Sequence, residues 1–410
     1  MYQLNHLTRV AALGALVALA ACETTKRDVL GPSSPAGGDI FKTYVSIGNS
    51  ITAGVQSAGI NDSTQRQSYA VLLAKQMGTR FAYPSLNLPG CTPPIANTQT
   101  GALVGGAPPG TCVLRATASV TDILNNVAVP GARVLDPTSA STVASNALTT
   151  FILGGKTQVQ KALIANPSFV TIWIGANDVL TAGLSGIIVP QPALGQAGII
   201  STQAVFQTNY DAMITQLLAG APGLKGVLIG VPQVTNLPLM SSGALIAASP
   251  AIQGGISAAA GKTVTIDASC TGSTALVDVP QLIPGIRAGV FPPIIACAAG
   301  LYPFPVGDLF VLDPAEQTTL AAAINAYNAY ISAKAASIGF AYYDPNLLFG
   351  AKRANGEIPP FPNLASTSAT FGGLISLDGV HPSAAAHVLI ANELITVINA
   401  KYSTALKPVQ

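Results

Sequence analysis

The apolar positions of this chain fall into two alternating periods. Short continuous runs lie within Phe41–Gly54 (FKTYVSIGNSITAG), at Ser168–Ile174, at residues 226–232 (GVLIGVP) and at Phe340–Asp344 (FAYYD). Their length and their β-branched and aromatic content suit buried strands. Between them the spacing becomes helical. Gln67–Met77 (QSYAVLLAKQM) reads as a helix stopped by Gly78, and Thr157–Ala165 as one closed by Asn166-Pro167. Residues 202–219 place Phe206, Tyr210, Met213 and Leu217 on one face. Asp313-Pro314-Ala315-Glu316 combines a capping carboxylate, a proline at the first helical position and a glutamate at the third. Leu320, Ile324, Tyr327 and Ile331 then line one face as far as Gly339, and Ser383 caps a last helix through Asn399. Strands alternating with helices predict an α/β domain with a mainly parallel central sheet. In such sheets ligands bind beyond the carboxyl ends of the strands.

Two stretches break the rhythm. Residues 79–125 are rich in Pro and Gly and too long for a simple connection, so they are expected to form a surface insertion near the site. NNVAVPGARV then brings the chain back as a short strand ending in Gly131. Residues 235–312 carry proline-punctuated apolar runs and are expected to form a second irregular insertion, either a disulfide-pinned cap with an apolar wall towards the site or a structural elaboration that packs away from the cleft.

The candidate chemistry sits at the strand ends. Ser50 lies in a small, polar, glycine-bounded turn directly after the first apolar run. A serine hydroxyl becomes a useful nucleophile only if a base takes its proton and donors stabilise the oxyanion it creates. The chain has three histidines, and His6 falls in a segment expected to be removed, which leaves His381 and His387 as candidate bases. Asp378 precedes His381 by one loop turn, a spacing that lets its carboxylate orient the imidazole. His387 falls inside the last helix and reads as a packed or surface residue. VTIWIGANDVL ends in Gly175, Asn177 and Asp178. The Asn177 amide is a fixed donor of the kind an oxyanion hole needs. Taken alone, Asn177 and Asp178 also suit the capping of a helix, and Asp178 competes with Asp378 as orienting acid. Gly131 suits close approach of backbone to a ligand, with Gly90 in LPGCTPP as its competitor. Trp173 reads as core packing.

Gly48-Asn49-Ser50, the glycine in NNVAVPGARV, Gly175-Ala176-Asn177-Asp178 and Asp378-Gly379-Val380-His381 resemble, in order, the signature blocks of the SGNH or GDSL hydrolases. The resemblance implies a three-layer, flavodoxin-like fold and ester hydrolysis through an acyl-enzyme. It implies Ser50 as nucleophile, His381 as base and Asp378 as orienting acid. The N–H groups of Ser50 and Gly131 and the Asn177 amide would form the oxyanion hole. It implies no metal and no organic cofactor. The pattern departs at Asn49, where the family usually has an acid. Carbohydrate O-deacetylation or acyl transfer would use the same machinery. A surface-binding lipoprotein that has lost turnover is the alternative of a different class.

The remaining features concern location. Arg9, an apolar run from Val10 to Ala21 and Leu19-Ala20-Ala21-Cys22 read as an export signal over residues 1–21. Its end resembles a bacterial lipobox, which implies lipidation of Cys22, a tether over 22–40 and a hydrolase domain over 41–410. Glu23 in place of aspartate points to the outer membrane. Charged residues make up 9% of the chain, yet no later apolar run reaches the ~18 residues of a membrane helix. A net charge of +2, without a basic cluster, excludes nucleic acid as the expected partner. Substrate and membrane are the expected partners. Cys91, Cys112, Cys270 and Cys297 suit two disulfides in an exported chain. Pairing Cys91 with Cys112 and Cys270 with Cys297 keeps each bond within one irregular segment. Their spacings do not suit zinc.

Because histidine titrates near neutrality, kcat/KM is expected to rise with pH as the base loses its proton. A profile that stays flat from about pH 5 to about pH 9, with chemistry rate-limiting, would count against a histidine base.

Overall fold

The computed structural model describes residues 38–114, 123–139, 147–191, 200–298 and 310–410. Residues 1–37, and with them the export signal, Cys22 and most of the tether, lie outside the described residues. At the centre is a parallel sheet of β1 (Tyr44–Gly48), β2 (Phe169–Trp173), β3 (Lys225–Ile229) and β4 (Ala341–Tyr343), in that spatial order. The helices that position the site or cover the sheet are α1 (Ser50–Ala53), α2 (Tyr69–Met77), α3 (Gln158–Ile164), α4 (Asn177–Ser185), α5 (Gln203–Gly220), α6 (Pro314–Ile338) and α7 (Ala384–Tyr402).

The strands are buried on both faces, so each residue goes to one layer or the other with period two. Val45, Ile47, Val170, Ile172 and Leu228 pack with Val159 of α3, Phe206 and Met213 of α5, and Ile324 and Ile331 of α6. Tyr44, Phe169, Trp173, Val227, Ile229 and Tyr343 pack on the opposite face with Leu73 and Met77 of α2 and Ile390, Leu394 and Ile398 of α7. Three layers result, as the resemblance implies. Trp173 is fully buried in the second interface, 5.4 Å from the Tyr69 ring.

Local chemistry sets the helix ends. The Asp313 side chain accepts from Glu316 N and the Glu316 carboxylate accepts from Asp313 N, both at 2.8 Å, and Gly339 closes α6 at φ 75°. α2 starts at Tyr69, later than Gln67, because Ser68 serves as its N-cap. α7 runs past Asn399 to Tyr402.

Two expectations need correction. NNVAVPGARV is not a full strand: it meets the β1 edge through one parallel bridge, Ser46 with Asn126, and a further bond from Val129 N to Gly48 O at 3.2 Å. Asn125 and Asn126 turn their side chains onto nearby backbone, at Tyr44 O (2.8 Å) and Thr52 O (2.9 Å), and Pro130 and Gly131, at φ 84°, bend the chain away. The insertion at 235–312 is likewise less irregular than its composition suggests. Its described part contains helices Gly243–Ala248, Pro250–Ala260 and Val279–Ala288 and a small antiparallel sheet, with a core of its own around Ile256, Val277, Leu282 and Ile286. Some of the prolines and glycines read as breaks are helix boundaries, since Pro250 opens one helix and Gly261 and Gly289 close two with left-handed φ, whereas Pro284 and Gly285 lie inside Val279–Ala288. The described part of 79–125 has one short 3-10 turn, at Val104–Gly106, and otherwise lacks helix and strand. The disulfides join Cys91 to Cys112 and Cys270 to Cys297.

Gly48 ends β1 where no side chain fits. A Cβ there would lie 2.3 Å from Thr52 Oγ1 and 2.8 Å from Trp173 O. Gly48→Ala is expected to destabilise the fold by about 1–3 kcal/mol through overpacking, read as a lower urea midpoint. An unchanged midpoint would show that the turn relaxes freely.

Candidate active site

Parallel pairing brings Gly48 beside Trp173, so the turns that follow β1 and β2 emerge side by side. The first carries Ser50. Asn49, in extended conformation, caps α1 by accepting from Ile51 N at 3.1 Å, and Gly48 N donates to the fully buried Gln158 amide oxygen at 3.1 Å. Ser50 thus opens α1, where its own N–H has no intrahelical acceptor.

His381 reaches Ser50 from the opposite end of the sequence. Its Nε2 lies 2.8 Å from Ser50 Oγ and its Nδ1 lies 2.7 Å from Asp378 Oδ2. Asp378 Oδ1 also accepts from His381 N at 2.8 Å and Val380 N at 2.9 Å, and Oδ2 from Ala58 N at 2.6 Å. Burial alone would push the Asp378 carboxyl up. The charge of His381 and these hydrogen bonds outweigh it and hold the group well below the usual carboxylate range. A carboxylate held in this way fixes the imidazole with a ring N–H towards the acid and the other nitrogen towards the serine.

The second turn carries Gly175-Ala176-Asn177-Asp178. Gly175 adopts φ 112°, and a Cβ there would meet Phe206 and Val231 at 2.8 Å. One Asn177 amide hydrogen is held by Ala132 O at 2.9 Å, which leaves the other for a ligand. Asn177, Gly131, Ser50 and His381 line one groove. Among the described residues, the N–H groups of Ser50 and Gly131 have no hydrogen-bond acceptor. Asp178 does not approach His381. It is buried, accepts from Val134 N at 2.8 Å and Ser201 Oγ at 2.6 Å, and faces Arg133. Burial raises its pKa against the lowering charge of Arg133. At Gly90 a Cβ would strike Ile60 O at 2.4 Å.

A family model for GDSL-like lipase/acylhydrolase matches residues 44–394, most of the chain. The chain belongs to this family. The GDSL-like lipase/acylhydrolase assignment makes it a carboxylic ester hydrolase. No curated protein matches. Among solved structures, an extracellular lipase from Streptomyces rimosus is 17% identical, with 88% of this chain and 99% of that chain covered and a TM-score of 0.35. An acetylxylan esterase mutant from Geobacillus stearothermophilus is 10% identical, with 90% and 97% covered and a TM-score of 0.36. A phospholipase A1 from Streptomyces albidoflavus is 16% identical, with 89% and 99% covered and a TM-score of 0.31. Likeness at this level carries no argument about substrate.

In this hydrolase two compartments meet at Ser50. One is a cavity of about 60 Å³ walled by Leu180, Val234, Leu237, Phe349 and Ile375. The other is an open groove of about 520 Å³ walled by Val55, Ile60, Pro130, Leu148 and the Cys91–Cys112 bond. Leu180 borders both. Among the described residues of the second insertion, only the stretch leading into it, around Val234 and Leu237, lines either compartment. Among the described residues no cluster of three or more His, Cys, Asp or Glu could hold a metal, and no helix is long and apolar enough to cross a membrane.

Several supporting groups carried no sequence signal. Ala58 acts through its backbone N–H. Ser57 N donates to Ser376 Oγ at 2.8 Å and Leu377 N to Ser57 Oγ at 3.1 Å, tying the Asp378 loop to the chain after α1. Ser57 and Ala58 both take left-handed φ, near 55° and 58°, a conformation small residues tolerate at moderate cost.

His387 is fully buried, and its Nδ1 accepts from Tyr69 N at 3.2 Å. Burial, with a smaller push from His381, lowers its pKa to about 3. The unfolded chain binds a proton there below about pH 6.5, and the folded chain does not until about pH 3. Stability at this site therefore falls as pH drops through that window. His387→Gln keeps an acceptor and is expected to remove at most about 5 kcal/mol of acid-side loss, read as unfolding free energy against pH. Parallel curves for the two proteins would contradict a buried neutral ring.

Proposed function

We propose that this GDSL-family hydrolase cleaves carboxylic esters through an acyl-serine intermediate, with Ser50 as nucleophile, His381 as general base and acid, and Asp378 as the carboxylate that orients it. The observation that carries this reading is the unbroken line from Ser50 Oγ to His381 Nε2 at 2.8 Å and from His381 Nδ1 to Asp378 Oδ2 at 2.7 Å. As Ser50 Oγ bonds to the ester carbonyl carbon, its proton passes to His381 Nε2. The carbonyl oxygen becomes an oxyanion held by the N–H groups of Ser50 and Gly131 and by the Asn177 amide. Collapse breaks the bond to the alcohol oxygen, which leaves with the proton from His381. Water repeats the sequence on the acyl-serine and releases the acid. No metal or cofactor takes part in this scheme.

Both compartments at Ser50 are walled mainly by apolar side chains, which supports an ester with lipid-like or aryl parts. The reading includes location: export, acylation of Cys22 and attachment to the cell envelope, with the outer membrane as destination and residues 41–410 as the catalytic domain. It is supported by the lipobox-like Leu19-Ala20-Ala21-Cys22 and by two disulfides that suit an oxidising compartment.

Hydrolysis of p-nitrophenyl esters of increasing acyl length, by wild type and Ser50→Ala, tests the chemistry. Turnover is expected in wild type and a loss of ~10⁴-fold or more in the variant, with an organophosphonate labelling Ser50 only in wild type. A folded wild type that neither turns over any ester nor takes the label would overturn the proposal in favour of a binding protein.

A further inference from the structure

We propose that Asp178, braced by Arg133 and Ser201, is a positioning residue that sets the Gly131 N–H in the oxyanion hole. The inference rests on the reading of Ser50 given above and assigns work to a carboxylate which that reading does not use.

Gly131 needs outside support. It stands exposed at the tip of a turn closed by Ala132 N to Val129 O at 3.1 Å, at φ 84°, and a Cβ built on it would touch nothing within 4 Å. Crowding therefore does not hold the tip, and its direction depends on how the next residues are anchored. Besides Val129 N to Gly48 O at 3.2 Å before the tip and Arg133 N to Asp136 Oδ2 at 2.6 Å after it, two anchors come from the Gly175–Asp178 turn. Asn177 Nδ2 donates to Ala132 O at 2.9 Å, and Asp178 Oδ2 accepts from Val134 N at 2.8 Å. Neighbouring side chains of one turn thus grip the main chain on either side of Arg133, and the same turn supplies the Asn177 donor. Gly131 and Asn177 consequently move as one unit.

Asp178 can grip only if it is itself fixed. Its other oxygen, Oδ1, accepts from Ser201 Oγ at 2.6 Å, and Ser201 Oγ accepts in turn from Arg133 Nη2 at 3.1 Å. Arg133 Nε lies 3.6 Å from the same Asp178 oxygen, and the Asp178 side chain is 1% exposed. A closed ring results: Arg133 belongs to the loop being held, Ser201 to the start of the α5 segment, and Asp178 to the turn after β2. An amide at position 178 has one acceptor oxygen where the carboxylate has two. It cannot accept from Val134 N and Ser201 Oγ on separate oxygens, and it loses the attraction to Arg133.

The experiment compares wild type, Asp178→Asn, Ser201→Ala, Asn177→Ala and the Asn177→Ala/Asp178→Asn double variant on one p-nitrophenyl ester, with thermal unfolding recorded for each. Losing an oxyanion donor costs ~10²–10³ in kcat, so a misdirected donor in Asp178→Asn is expected to lower kcat by ~10–100-fold. KM should stay within about threefold, because the ground-state carbonyl relies less on the donors. Ser201→Ala should shift kcat in the same sense by less. In the Asn177→Ala background, where one anchor is already gone, the Asp178→Asn loss should shrink, a non-additivity expected of residues acting as a unit. An unchanged kcat in Asp178→Asn, a loss confined to KM, or fully additive losses would overturn the proposal. If Asp178→Asn does not fold, Ser201→Ala decides alone, and unchanged kcat there overturns it. A wild type without Ser50-dependent turnover would instead sink the serine reading itself.

Discussion

The site depends on the register between β1 and β2. Parallel strands with matched ends deliver their following turns to the same edge, and the pairing of Gly48 with Trp173 sets Ser50 and Asn177 beside each other. Every other contributor is then tied to one of those two turns. The 125–134 stretch hangs on the β1 edge through Ser46 and on the β2 turn through Asn177 and Asp178. The Asp378–His381 loop is tied to residues that follow α1 through Ser57 and Ala58. A slip of one residue would send each strand side chain to the opposite layer. The core packing that stabilises the sheet therefore also fixes the distances at the active site.

Much of this was legible in the sequence because the signals were local. The Asp313–Glu316 box, the Gly78 and Gly339 stops and the apolar faces of α5 and α6 are matters of neighbours along one helix, and they appear where the pattern places them. The order of the Ser50, Asn177 and His381 motifs likewise pointed to one site. Legibility ended where long-range partners decide the outcome. NNVAVPGARV has the residues of a strand, yet its asparagine side chains take backbone partners and leave one bridge to β1. Residues 235–312 have the composition of a loop, yet Pro250, Gly261 and Gly289 fall at helix boundaries and Pro284 inside a helix, around a small core that no periodicity announced. Ala58 supports Asp378 with a backbone N–H, which every non-proline residue possesses, so its identity carries no information.

The electrostatics of the site follow from how each buried group is compensated. Asp378 is desolvated but receives several N–H donors and the facing imidazole, so the balance favours its charge. His387 is desolvated and its ring accepts the Tyr69 N–H, so its balance favours the neutral ring. Two histidines separated by little in sequence thus hold different capacities. The one on the loop has a carboxylate behind it and a serine in front, and the one inside α7 accepts a single N–H from the start of α2.

Asn49 is the position where this chain departs from the acid usual in its family, and the local geometry explains why an amide can serve. The site requires an acceptor for Ile51 N at the start of α1, and Asn49 Oδ1 supplies it at 3.1 Å. Either side chain could supply that acceptor. They differ in the second polar atom, since residue 49 is 1% exposed and the Asn49 Nδ2 has no hydrogen-bond partner among the described residues. A buried amide without a partner costs a modest amount, whereas an unpaired carboxylate in the same place would cost far more or take up a proton. On this argument the asparagine preserves the turn without burying a further charge in it.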